Sequence, residues 1–179
     1  MTAIAVLSTQ VDIAWNAPTG ATSYQIDRRA AGGGFSQIGT SMTSSFSDTT
    51  ASPDSAYLYR VRAVNDAGVS SASAADLATT VIVVDSPLAS GIVVKAVHLS
   101  ELRTAVNAVR LLASLLPAGF TDPATAGTAI RAVHVTELRS ALDAARGALG
   151  FSTGGYTDAS LTSVAIKAVH FQELRDRVR

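Results

Sequence analysis

The chain has 179 residues, 47% apolar and 16% charged, with 14 Lys+Arg against 14 Asp+Glu. That length suits one or two small domains, and that composition excludes a disordered chain and offers no global charge for a nucleic-acid partner. Cysteine is absent, which excludes structural disulfides, thiolate metal sites and cysteine nucleophiles.

No apolar run reaches the eighteen or so residues of a membrane span, so no membrane insertion is expected. The segment Thr2 to Ser8 lacks a basic leader and reads as a strand, not a signal peptide. A secreted parent protein would make this chain a fragment of it. Residues 1–84 carry six Asp and four Arg, a net of −2, and residues 85–179 carry ten basic and eight acidic residues, a net of +2. Neither imbalance steers a polyanion.

Residues 1–84 read as short strands between turns. Val11, Ile13 and Trp15 alternate with Asp12 and Ala14, the period of a half-buried strand. Asn16 to Gly20 is turn chemistry, and Tyr24, Ile26 and Arg28 alternate next. Gly32-Gly33-Gly34 precedes a short strand over 35–38. Tyr57, Tyr59, Val61 and Ala63 alternate with Leu58, Arg60, Arg62 and Val64. Asn65 to Gly68 turns the chain into a last strand ending at 80–84. The pattern predicts a β-sandwich with Trp15, Tyr24 and Tyr57 in its core.

Two stretches carry a family likeness. Val11-Asp12-Ile13-Ala14-Trp15 resembles the strand of a fibronectin type III domain that holds its core tryptophan. Tyr57-Leu58-Tyr59-Arg60-Val61-Arg62-Ala63-Val64-Asn65 followed by Gly68 resembles that family's Y-x-Y-x-V-x-A-x-N-x-x-G strand and turn. The resemblance places Tyr57 at the tyrosine corner. It implies an extracellular sandwich used as a spacer or adhesion module, and no activity. The integrin-type Arg-Gly-Asp loop is absent.

Composition shifts at Asp85-Ser86-Pro87, so residues 85–90 read as a linker and 91–179 as a second domain. There the chain repeats. The segments 93–103, 129–139 and 165–175 share the pattern Ile/Val-Lys/Arg-Ala-Val-His-x-x-Glu-Leu-Arg at an offset of 36 residues. All three histidines of the chain occupy one phase of it, which chance gives roughly once in a thousand chains. Ile130, His134, Leu138 and Leu142 form an i, i+4, i+8, i+12 stripe. The spacing predicts helices over 94–115, 130–149 and 166–178, with Leu102, Leu138 and Leu174 in a shared core. One apolar stripe per copy cannot be buried alone, so a small helical bundle follows. The connections carry Phe120-Thr121-Asp122 and Tyr156-Thr157-Asp158, with Asp85 in a similar place before the first copy, shifted by one residue.

The His-x-x-Glu pairs admit two readings. His98, Glu101, His134, Glu137, His170 and Glu173 can serve as metal ligands, since His at i and Glu at i+3 share a helix face. A threefold arrangement would bring the histidines to one zinc. The alternative is structural: a ring on the apolar stripe fills space and donates one N–H to a carbonyl of the preceding connection. Glu then pairs with the ring or caps the helix, and Arg103, Arg139 and Arg175 bind carboxylates or carbonyls of the next copy. The structural reading fits the apolar stripe better, so no cofactor is expected. Gly32-Gly33-Gly34 does not open a helix, and no Gly-x-Ser-x-Gly elbow exists, so no catalytic residue is assigned.

Tandem helices of this pattern followed by Phe/Tyr-Thr-Asp resemble C-terminal regions of large secreted bacterial proteins. They are also similar to S-layer homology repeats, which pair an Ile-x-Arg-Ala-Glu helix with a Phe-x-Asp turn and bind cell-wall polymers in threes. This chain departs in its His, its later Glu and its shorter repeat. The expectation is a non-catalytic extracellular or cell-surface protein with a protein or cell-surface polysaccharide as partner. The alternatives are a metal-binding protein and a carbohydrate-binding accessory domain of a secreted hydrolase.

Overall fold

A computed structural model describes residues 1–127 and 129–179 of the chain. Residues 1–80 and 81–178 form separate compact units.

The first unit contains β1 (Thr2–Leu7), β2 (Gln10–Ala14), β3 (Ser23–Arg29), β4 (Phe35–Ser41), β5 (Ser45–Asp48), β6 (Ala56–Asn65), β7 (Gly68–Val69) and β8 (Asp76–Thr79). One sheet runs β1-β2-β5; the other runs β4-β3-β6-β7, with β8 also on β6. All pairs are antiparallel. The alternation does the folding: Val11, Ile13, Tyr24, Ile26, Tyr57, Tyr59 and Val61 point between the sheets and are buried. Leu58 breaks the alternation, since it is buried beside its cross-strand partner Leu77. The tyrosine corner forms, with the Ser52 N–H donating to the Tyr57 hydroxyl at 2.8 Å.

Three expectations for this unit need correction. Trp15 follows the end of β2 and is half-buried at the margin of the core, edge-on to Tyr24 with centroids 5.1 Å apart. The last strand ends at Thr79, and residues 80–84 are not a strand. The unit also closes at Thr80, not at residue 84.

The second unit holds α1 (Ala96–Leu112), α2 (Ala132–Ala148) and α3 (Ala168–Arg177) among the described residues. Each begins two residues later than its spacing predicted, because the residue before each Ala is an extended N-cap: Lys95, Arg131 and Lys167, with φ near −107° to −117°. Leu102, Leu138 and Leu174 are fully buried, as are their neighbours Leu99, Val135 and Phe171. Ile130 of the expected stripe lies outside α2 and is half-buried. The expected linker 85–90 belongs to this unit: Leu88 is buried, and its N–H donates to Gln172 Oε1 at 2.8 Å. Among the described residues no helix is long and apolar enough to cross a membrane.

Candidate functional site

Each helix starts without a Ser, Thr, Asp or Asn cap, so its first backbone N–H groups need another acceptor. The histidine three residues on supplies it. The backbone N–H of Lys95, Arg131 and Lys167 donates to Nδ1 of His98, His134 and His170, at 3.1, 3.2 and 3.2 Å. An Nδ1 that accepts leaves the ring proton on Nε2. That proton goes to an aspartate of the preceding connection: His98 to Asp85 at 3.0 Å, His134 to Asp122 at 3.1 Å, His170 to Asp158 at 3.0 Å. All three rings are inaccessible to solvent.

The aspartates are placed by backbone as well as by side chain. Asp85, Asp122 and Asp158 have φ of 50°, 56° and 51°, the left-handed region that Asp tolerates better than most residues. Each carboxylate also meets the N-cap cation: Lys95 at 2.9 Å, Arg131, and Lys167 at 3.2 Å. These contacts hold the carboxyls below the usual Asp range. For Asp85 the Lys95 bond contributes most and the His98 bond next; for Asp122 and Asp158 the histidine leads and the cation follows.

Glutamate and arginine complete each seam. Glu101, Glu137 and Glu173 accept the backbone N–H of Val84, Thr121 and Thr157, at 3.0, 3.0 and 2.8 Å. Each glutamate therefore ties its helix to the connection before it. Arginine ties the helix to the connection after it: Arg103 donates to the carbonyls of Thr121 and Asp122, and Arg139 to those of Thr157 and Asp158. Arg175 reaches back to the carbonyls of Val84 and Asp85, ahead of α1. The three copies thus bond head to tail in a closed ring. Arg139 meets Glu173 at 3.5 Å and Arg175 meets Glu101 at 3.1 Å, so these two seams are also ion pairs. Arg103 and Arg139 stack on Phe120 and Tyr156 of the connections, at 5.0 and 4.5 Å from the ring centres.

The metal reading is not what these contacts build. His98, His134 and His170 each stay with their own aspartate, and no three His, Cys, Asp or Glu side chains among the described residues gather around one position. Both ring nitrogens of each histidine are already bonded. Glu pairs with a backbone N–H and not with the ring, and the ring donates to a carboxylate and not to a carbonyl. The sequence reading assigns these aspartates no histidine, yet it carries a signal for them: one stands 12 residues before each of the last two histidines and 13 before the first. Asp143 accepts the Tyr156 hydroxyl at 2.8 Å, and Arg139 is buried.

No family model matches the sequence, and no curated protein does. Solved structures match over the sandwich. A fibronectin-III-like protein from Clostridium thermocellum is 28% identical over 44% of this chain and 84% of its own, with a TM-score of 0.39. The FN5 domain of Drosophila Lar is 25% identical over 42% of this chain and 84% of its own, at 0.37. A human fibronectin type III domain is 18% identical over 43% and 76%, at 0.39. The N-terminal unit is fibronectin-type-III-like. Beyond that fibronectin-like unit, the chain continues into the three-helix region.

Proposed function

We propose that the chain is a non-catalytic extracellular module of a larger secreted bacterial protein. The sandwich is the spacer, and the helical ring is the docking or surface-attachment unit. One observation carries this reading. Every group that the repeat offers for chemistry is committed to holding the ring together: both nitrogens of each histidine, the glutamates and the arginines. A general base needs a free lone pair within reach of substrate. His98, His134 and His170 are buried, and their Nδ1 lone pairs are spent on backbone N–H groups. A fibronectin-type-III-like unit also supports the reading, because that sandwich serves widely as a spacer.

Sedimentation with isolated bacterial cell envelopes tests it. The full chain is expected to co-sediment saturably, and a chain lacking residues 81–179 is expected to stay in solution. Equal retention of the sandwich alone overturns the division of labour, and no retention of the full chain overturns the attachment role.

A further inference from the structure

The residue before each N-cap is aliphatic in all three copies: Val94, Ile130 and Ile166. The three line a single hollow of about 720 Å³, together with Leu88, Ile92 and Val169. Repeat-equivalent residues share it, so it lies where the three copies meet, beside the starts of the helices. That volume falls in the range of small-molecule sites. Aliphatic side chains near the helix starts also stay exposed. Val97, Val133 and Val169, one helical position each, remain 42, 37 and 38% exposed, and Val93 is 75% exposed.

The walls decide the class of occupant. No aromatic ring stands among the described lining residues, so a sugar ring has no flat face to stack on. Branched aliphatic walls suit a hydrocarbon chain. Lys167 is the one charged residue among the described lining residues. Its ammonium gives a bond to Asp158 at 3.2 Å and stays more than half exposed, with donors to spare. Gln172 is already bonded on both amide atoms, to the Leu88 N–H and to Asp176. The charge that fits the mouth is therefore an anion beside Lys167.

We propose that this hollow binds a single-chain amphiphile, its aliphatic tail against Val94, Ile130 and Ile166 and its anionic head at Lys167. The site stands apart from the surface-attachment reading, since envelope retention and amphiphile binding are measured separately and either can fail alone.

The test is calorimetric titration of the full chain with dodecanoate below its micelle concentration, alongside dodecanol and mixed phosphatidylcholine and phosphatidylglycerol vesicles. Saturable binding of one dodecanoate per chain is expected. Val94→Phe, which fills the hollow, should weaken it by about tenfold or more, with an unchanged far-UV spectrum. Should the phenylalanine unfold the unit, Ile130→Ser, outside α2 and half-exposed, is expected to weaken binding in the same sense. Lys167→Gln should weaken dodecanoate and leave dodecanol as it was. No saturable binding, binding indifferent to the folded wall variants, or binding to vesicles without binding to free dodecanoate each overturns the proposal.

Discussion

Arg175 donates from Nη1 to the carbonyl of Asp85 at 3.0 Å, across 90 residues of chain. Its second amine reaches Val84 O and the Glu101 carboxylate, at 2.9 and 3.1 Å. This is the seam that joins the last copy to the first. Arg175 is almost wholly buried, so its removal leaves Glu101 without its cation and two carbonyls without a donor. Arg175→Ala is expected to destabilise the helical unit by about 3–5 kcal/mol. Arg103 holds the same place at another seam but is only half-buried. Arg103→Ala should cost less, about 1–3 kcal/mol. Urea unfolding followed by circular dichroism measures both. Equal and small losses would mean that the ring does not depend on being closed.

Comparison of the copies exposes a second dependence. Gly91 and Gly127 stand 36 residues apart with φ of 89°, and the third copy puts Ser163 there at φ 60°. A side chain in that region costs roughly 1–2 kcal/mol, part of which glycine gives back through its looser unfolded chain. Ser163→Gly is expected to stabilise the helical unit by up to about 1 kcal/mol. A thermal melt of the variant decides it, and a lower melting temperature would show that the serine side chain does work that the strain conceals.

The two units were legible to different degrees. Strand alternation locates the sandwich core because a period of two needs only one buried face, and Tyr57 lands where its corner requires. Trp15 is misjudged because alternation says nothing about where a strand stops; β2 ends one residue before it. Phase in the 36-residue repeat exposes Leu102, Leu138 and Leu174 directly. The chemistry of His98, His134 and His170 stays hidden for a physical reason. Their partners are backbone N–H groups and aspartates on connections, and the direction in which a connection folds back is set by left-handed residues that no periodicity reports. Ring closure by Arg175 is a contact across half the chain, invisible to any local pattern.

Within the sandwich, Tyr57→Phe removes the acceptor of the Ser52 N–H while keeping the ring in the core. An unpaired, partly buried donor costs about 1–3 kcal/mol. Trp15→Ala should fall below the roughly 3–5 kcal/mol of a fully buried tryptophan, because the indole is half-buried. Denaturant melts rank the two, and a loss that reaches that range at Trp15 would return it to the core.

The helical unit should weaken in acid. Asp85, Asp122 and Asp158 have folded-state affinities for protons below the unfolded value of about 3.9. A depressed carboxyl contributes stability that is complete above the unfolded value and is lost as pH falls through the folded one. Loss therefore begins near the ordinary Asp range and finishes below it. Asp48 of the sandwich shifts in the same direction; burial alone would raise it, and bonds from Thr50, Tyr59 and Arg28 outweigh that. The comparison that isolates the ring is wild type against the triple variant Asp85→Asn, Asp122→Asn, Asp158→Asn. The variant should be less stable at neutral pH and should lose less on acidification. Parallel pH profiles for the two proteins would exclude the aspartates as the source.

The histidines separate structure from metal chemistry. For His134 to bind an ion through Nδ1, the Arg131 N–H must give up its acceptor; to bind through Nε2, the ring must lose its proton and its bond to Asp122. Either route exchanges a satisfied bond for a new one inside a ring with no access to solvent. Zinc and EDTA are therefore each expected to leave the melting temperature of the chain unchanged. His134→Ala should cost about 1–3 kcal/mol, from an orphaned N-cap donor and lost packing. The same cost is expected at His98 and His170, whose partners are equivalent. An ion that binds the folded state must raise its melting point in proportion to occupancy. A melting point that falls with EDTA and recovers with zinc would falsify the structural role, and so would one bound ion per purified chain.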